Sequence, residues 1–290
     1  CLALNNQTMQ LKLNGQRSCH LLLIVVLLFL LCIALRQSVQ DRLASKQMID
    51  HRLLIIVPFR DRFSELSAFL PYMSKFLNDR HRPHHVIVVD QCDSFRFNRG
   101  ALLNVGFLEH GCSDCDYMAL HDVDLLPNHS SIDYPFPPDK GGYDVLHVTP
   151  PYLHPQYHYK EYMGGILLLT REAFAKSGGF SNLFWGWGRE DDEFRLRLME
   201  AGLSIGRLRN LSSGTASFVH LHDPRRHARD SRIVGNQREL TFRRDRTSGM
   251  DSLRYRVTRR YSLAIDGAQP ASVVCVHLHC DTGVTPYCAV

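Results

Sequence analysis

Three short apolar runs, separated by stretches of helical period, constrain this chain more than any other feature in it. Leu53-Leu54-Ile55-Ile56-Val57-Pro58 is uncharged and rich in β-branched residues, the pattern of a strand buried on both faces. Leu66, Phe69, Leu70 and Phe76 then recur at helical spacing. Val86-Ile87-Val88-Val89-Asp90 is the next strand, Arg99 to His110 the next helix, with Leu102, Leu103, Val105 and Phe107 on its apolar face, and Tyr117 to Leu120 the third strand. The order β-α-β-α-β with short connections predicts an α/β fold built on a doubly wound, mostly parallel sheet. The third strand runs straight into His121-Asp122-Val123-Asp124. Alternation along an extended chain puts Asp122 and Asp124 on one side, at the strand end where open α/β sheets bind ligands. An isolated Asp-x-Asp is equally what a solvated turn looks like.

Neither Gly-x-Gly-x-x-Gly nor a P-loop Lys-Ser/Thr follows any of these strands, so a nucleotide diphosphate would have to be met by a metal and by arginines. Arg60 and Arg62 stand at the first strand-to-helix junction, where guanidinium groups can meet phosphate; solvated loop charges are the alternative. A second acidic cluster, Trp185-Gly186-Trp187-Gly188-Arg189-Glu190-Asp191-Asp192-Glu193, opens the segment Phe194, Leu196, Leu198, Met199. Carboxylates at a helix start face its positive dipole end, so the stretch is either a capped first turn with core tryptophans or one wall of a site. Phe218-Val219-His220-Leu221-His222-Asp223 alternates, which places His220 and His222 on one side of a strand. With Asp124 they offer oxygen and imidazole without thiolate, a set that suits Mn²⁺ better than structural zinc. Tyr152, Tyr157, Tyr159 and Tyr162 gather before Gly164-Gly165 and a strand from Ile166 to Thr170. Phenols stack on sugar faces while bonding hydroxyls, and they also pack at sheet edges.

Composition adds the context. With 290 residues, 44% hydrophobic and 22% charged, the chain is of ordinary globular type, and no nucleic-acid partner is expected. Leu21 to Leu35 is unbroken and apolar, preceded by Lys12 and Arg17 and closed by Arg36; it reads as a transmembrane signal-anchor, with a cleaved signal peptide as the alternative. The expected layout is a cytoplasmic tail over 1–20, an anchor over 21–35, a stem over 36–50 and a lumenal domain over 51–290. Within that domain, 51–132 is the nucleotide-binding half and 133–290 the acceptor half, joined by the Pro/Gly-rich Asp133 to Gly142. Nine cysteines fit a secreted chain without making a dense disulfide scaffold, and Cys112 with Cys115 alone is weak evidence for zinc. Asn128-His129-Ser130 and Asn210-Leu211-Ser212 are N-glycosylation acceptors by pattern. The arginine-rich segment from Asp223 to Arg246 reads as a basic loop, with acidic peptide segments as candidate partners.

Pro58-Phe59-Arg60-Asp61-Arg62, Phe97-Asn98-Arg99-Gly100 with Leu103-Asn104-Val105-Gly106-Phe107, His121-Asp122-Val123-Asp124, Tyr162-Met163-Gly164-Gly165 and the Trp185 to Asp192 stretch occur in the order found in animal β-1,4-galactosyltransferases. The chain resembles that family from Leu53 to His222. His220, where most relatives carry methionine, and Arg189, where the lactose-forming members carry glycine, resemble the members that act on xylose rather than N-acetylglucosamine. The resemblance implies a GT-A fold behind a single N-terminal transmembrane helix, a type II Golgi membrane location, UDP-galactose as donor, Mn²⁺ as cofactor and xylosylated proteoglycan core proteins as acceptors. It implies that Asp124, His220 and His222 hold the metal, and that Pro58, Phe59, Arg60, Arg62, Phe97, Arg99, Asp122, Val123, Tyr162, Trp187 and Glu190 line the donor site. Asp191 takes the place of the catalytic base, Tyr157, Tyr159, Trp187, Asp191 and Asp192 that of the acceptor pocket, 223–246 that of a mobile loop, and Cys280 with Cys288 that of a tail disulfide. The rival implications are a transferase acting on N-acetylglucosamine and a lectin-like module without catalysis.

Overall fold

The computed structural model describes residues 30–37, 51–211, 214–241 and 243–289. His51–Val290 forms one compact unit. Its ten strands are β1 (Arg52–Phe59), β2 (His84–Gln91), β3 (Cys115–His121), β4 (Leu125–Pro127), β5 (Val145–His147), β6 (Ile166–Thr170), β7 (Ile205–Arg207), β8 (Phe218–His220), β9 (Tyr255–Leu263) and β10 (Ala271–Leu278). The helices are α1 (Phe63–Asn78), α2 (Arg99–Glu109), α3 (Arg171–Ser177), α4 (Glu190–Glu200) and α5 (Gln237–Thr241). Eight strands make one sheet in the order β7-β5-β6-β3-β1-β2-β10-β9, and β4 pairs with β8 in a second, two-stranded sheet.

The expected β-α-β-α-β start is present, with β1 pairing in parallel to both β2 and β3. Side-chain parity along β1 divides the core into two layers. Leu53, Ile55 and Val57 pack with Leu66, Phe69, Leu70 and Met73 of α1; Leu54 and Ile56 pack with Leu102, Leu103 and Val105 of α2. An amphipathic helix therefore covers each face, which is why β1 carries no polar residue from Leu53 to Phe59. Beyond this core the sheet departs from the mostly parallel expectation. β6 runs antiparallel to both β3 and β5, and β9 antiparallel to β10, so the sheet is mixed. The predicted halves 51–132 and 133–290 share this one sheet.

Local chemistry fixes where α2 begins. The Asn98 side chain accepts from Ala101 N at 2.9 Å, capping the helix, and donates to Asn182 O at 2.8 Å. Arg99 is thereby the first helical residue, held at the carboxyl end of the sheet. Gly106 lets α2 lie close on β1, since a Cβ there would come within 2.2 Å of Ile56 Cγ2.

Three disulfides join Cys92 to Cys275, Cys112 to Cys115 and Cys280 to Cys288. The last is the pair expected, and the second removes Cys112 and Cys115 as zinc ligands. Of the predicted anchor, only residues 30–35 are described, within a helical stretch over 30–37; the remainder, with most of the stem and all of the tail, lies outside the described residues. No described helix is long and apolar enough to cross a membrane. We expect Gly106→Ala to lower stability by about 1–3 kcal/mol through overpacking, read as a lower denaturation midpoint at unchanged slope in chemical unfolding.

Candidate active site

Asp122 follows the last residue of β3, where its N–H bonds Gly165 O at 3.2 Å and its carbonyl receives Leu125 N at 3.3 Å. This turn sends the chain into β4, whose Leu125 stands opposite His220 of β8. Leu221 N then bonds Asp124 O at 2.6 Å, which carries His222 to the same carboxylate although the strand ends at His220. His220 Nε2 lies 3.9 Å and His222 Nδ1 3.7 Å from the Asp124 carboxylate. Arg62 is 3.8 Å from Asp124 and 2.9 Å from His222 Nδ1. Burial first, then the charge of Arg229, lowers the His220 imidazole to about 4; burial also lowers His222. Both rings are therefore neutral near pH 7, and His220 Nδ1 and His222 Nε2 are buried without a hydrogen-bond partner. One carboxylate beside two neutral imidazoles fits Mn²⁺. His121, by contrast, is core: its Nε2 lies 2.8 Å from the Tyr134 hydroxyl and its Nδ1 2.9 Å from Asp122 O.

The acidic run opens α4, as its carboxylates at a helix N-terminus should. Arg189 precedes the helix with φ 78°, a left-handed conformation that favours glycine; its Nη1 bonds Asp192 at 3.4 Å. Arg99 crosses from α2 to reach both acidic clusters, donating through Nε to Asp122 and through Nη1 to Asp191, each at 2.7 Å, with Glu190 at 3.5 Å. Burial pushes the Asp191 carboxyl above the usual range, and the Arg99 charge offsets part of that rise while Asp122 adds to it. Glu190 is raised by the same burial and by Asp191. Burial thus sets the upward direction for both carboxyls, and burial is invisible in the sequence.

The two indoles separate. Trp185 is buried, edge-on to Phe95, whereas Trp187 is 51% exposed. Gly186, at φ 91°, makes the turn between them, its N–H bonding Phe97 O at 2.8 Å. Tyr157 and Tyr159 lie 5.3 and 5.5 Å, centroid to centroid, from the buried Tyr162, and Tyr157 is 6.0 Å from Trp187. The Tyr159 hydroxyl donates to Asp192 at 3.1 Å.

These groups surround one cavity of about 1040 Å³. Pro58, Arg60, Arg62, Phe97, Arg99, Asp122, Val123, Asp124, Tyr157, Tyr159, Tyr162, Trp187, Glu190, Asp191, His220 and His222 all line it. Two expected residues do not. Phe59 shares the parity of Leu53, Ile55 and Val57 and belongs to the apolar layer over α1. Asp192 is turned by the helix toward Tyr159 and Arg189. Asp61 and His154 also line the cavity without being expected there, and residues 227–233, within the segment where a mobile loop is expected, form one wall. In that wall the Arg229 guanidinium sits 5.2 Å from the Trp187 ring centre and 5.5 Å from that of Tyr157, contacts that favour a cation. Asp230 accepts Trp187 N on its carbonyl at 2.8 Å, and its carboxylate pairs with buried Arg96 at 2.6 Å. Arg232 and Arg96 hold that carboxyl well below the ordinary range. Nor is the arginine-rich segment a bare basic surface: Arg244 pairs with Glu193 at 2.8 Å and Glu200 at 3.0 Å. No periodicity marks this segment, so its arginine content and the resemblance alone point to a role.

Comparison with known proteins agrees with this architecture. Residues 43–135 match the N-terminal region of glycosyl transferase group 7, and residues 145–223 the N-terminal domain of galactosyltransferase. The chain is 49% identical to mouse (Mus musculus) beta-1,4-galactosyltransferase 7 over 238 residues, covering 82% of this chain and 71% of that protein. It is 44% identical to xylosylprotein 4-beta-galactosyltransferase of Caenorhabditis elegans, covering 82% of each. The crystal structure of the catalytic domain of Drosophila beta-1,4-galactosyltransferase 7 with xylobiose superposes with a TM-score of 0.79 at 42% identity, covering 83% of this chain and 99% of that one. A mutant of that Drosophila protein, in complex with manganese, UDP-Gal and xylobiose, gives a TM-score of 0.78 at 42% identity, covering 82% and 99%. We expect Asp230→Ala, which leaves buried Arg96 without its carboxylate, to speed limited tryptic cleavage within 223–238 several-fold; an unchanged cleavage rate would contradict the anchoring described.

Proposed function

Because the chain belongs to the β-1,4-galactosyltransferase family, we propose that it moves galactose from UDP-galactose to the 4-hydroxyl of xylose on proteoglycan core proteins, with inversion and with Mn²⁺ as cofactor. The observation that carries this reading is the convergence on one cavity of Asp124, His220 and His222, of Asp191, and of the Tyr157, Tyr159 and Trp187 rings. Asp124, His220 and His222 would hold Mn²⁺, whose charge offsets that of a departing diphosphate. Arg60, Arg62 and Arg99 supply cationic surface for the nucleotide, and Arg229 adds charge from the loop side.

Asp191 acts as general base. It takes the proton of the xylose 4-hydroxyl as that oxygen bonds to the anomeric carbon of galactose, while the bond to UDP breaks on the opposite face. Arg99 orients the Asp191 carboxylate by its direct hydrogen bond and keeps a larger fraction ionised than burial alone would allow. Trp187 and the segment from 227 to 233 wall the cavity, which limits access of water to the donor. Arg189, bonded to Asp192, and Tyr159, bonded to the same carboxylate, shape the acceptor side for xylose. A Golgi location as a single-pass type II membrane protein with the domain from 51 onward in the lumen is part of the proposal; three disulfides in that domain support an oxidising compartment.

Galactose transfer to a β-xyloside, run in parallel with an N-acetylglucosaminide, tests the acceptor assignment. Transfer to the xyloside alone is expected, and transfer to the N-acetylglucosaminide would overturn it. Asp191→Asn is expected to retain metal-dependent UDP binding and to lose roughly 10²–10⁴-fold or more in turnover; near wild-type turnover would place the base elsewhere. Since the working base is ionised Asp191, activity should fall with decreasing pH, and the acid limb should lie above the ordinary aspartate range of about 4, because burial raises this carboxyl.

A further inference from the structure

A second cavity, of about 470 Å³, lies on α1 beside Asn128 and is lined by Pro71, Tyr72, Phe76 and Arg80. Its polar and apolar parts are fixed in place. The Tyr72 hydroxyl donates to Pro127 O at 2.5 Å, yet the residue remains 37% exposed, so its ring is held as an open wall. Arg80 lies 3.7 Å from the Phe76 ring centre and donates to Ile132 O at 2.8 Å and Ser130 O at 3.2 Å, closing the far end. Nothing in the transferase mechanism uses this cleft.

Asn128 stands at its rim as the first residue of Asn-His-Ser. It is exposed and directly follows β4. Its N–H bonds Ser217 O at 2.7 Å, and its Nδ2 donates to Thr215 O at 3.1 Å. An amide nitrogen carries two hydrogens. One can be replaced by a sugar while the other keeps the Thr215 bond, so the geometry accepts a substituent without rearrangement. The sequon at Asn210 differs: Asn210 has φ 64°, and its Ser212 lies outside the described residues.

We infer that Asn128 carries an N-linked glycan whose first N-acetylglucosamine lies in the Tyr72–Phe76–Arg80 cleft. The bond formed joins Nδ2 to C1 of that sugar. The bond broken is from C1 to the diphosphate of a lipid-linked oligosaccharide donor, which departs as the lipid diphosphate, the Nδ2 proton passing to base. The C–H face of the sugar packs on the aromatic wall, and its hydroxyl and acetamide groups meet Arg80 and neighbouring carbonyls. Asn128 is tied by these two bonds to Ser217 and Thr215 on the approach to β8, so the attachment point is held in place beside the cleft. The inference requires passage through the secretory route, which the three disulfides support independently of any transferase activity.

The test uses the full chain expressed in animal secretory cells. Peptide mapping after peptide-N-glycosidase treatment in heavy-oxygen water should label Asn128 as aspartate, and Ser130→Ala, which leaves the Asn128 hydrogen bonds in place, should abolish the label. Enzymatic release from the native protein should be slow in the wild type and at least several-fold faster in Tyr72→Ala. An unmodified Asn128 peptide, or equal release from wild type and Tyr72→Ala, overturns the inference. Galactose transfer measured on the wild type and on Ser130→Ala separates this outcome from failure of the transferase reading, because both should transfer alike.

Discussion

One largely enclosed guanidinium, that of Arg99, holds the reaction cavity in register. Arg99 enters from the first residue of α2 and bonds Asp122, which ends β3, and Asp191, which lies in the first turn of α4. Those two carboxylates come from distant parts of the chain and meet on one guanidinium. Burial alone would lower the guanidinium, but Asp122, Asp191 and Glu190 more than offset it and hold the group above its ordinary value. Removing one member of such a cluster leaves an uncompensated buried charge, so the arrangement is expensive to break. The Asn98 cap and the close approach at Gly106 are what position that guanidinium.

The cavity's other wall depends on the pairing of Asp230 with Arg96. Its backbone carbonyl takes Trp187 N, and its carboxylate takes Arg96, so the exposed indole and the loop from 227 to 233 are fastened to one buried cation. Arg229 then lies against both Trp187 and Tyr157, 5.2 and 5.5 Å from their ring centres. One side of the site is rigid sheet and helix end, and the other is a segment held by a few polar contacts. That division suits an enzyme that must admit a charged donor and then exclude water.

Much of this was legible in the sequence, for reasons that can be named. β1, β2 and β3 are long enough for composition and period to show, and period 2 put Asp122 and Asp124 at a strand end, and His220 and His222 on one side of the chain. β5 and β7 span three residues each, too few for any period, so the mixed sheet could not be read. β9 alternates at Tyr255, Val257, Tyr261 and Leu263, but Arg259 interrupts the pattern and the strand is exposed along most of its length. Phe59 was assigned to the donor site, although its parity with Leu53, Ile55 and Val57 already placed it under α1. Cys92 with Cys275 and Arg96 with Asp230 are partners across more than a hundred residues, and no local signal joins them. The raised Asp191 carboxyl is of the same kind, since it comes from burial that only the folded chain creates.

Arg99 sets the charge state of Asp191, the residue proposed as base, through their direct hydrogen bond. The pH dependence of turnover at saturating UDP-galactose and xyloside, compared between wild type and Arg99→Gln, tests it directly. Loss of the guanidinium leaves burial and Asp122 unopposed, so the acid limb of Arg99→Gln should move to higher pH. An acid limb at the same pH in both proteins, with turnover still measurable, would show that Asp191 does not depend on Arg99 and would contradict the account.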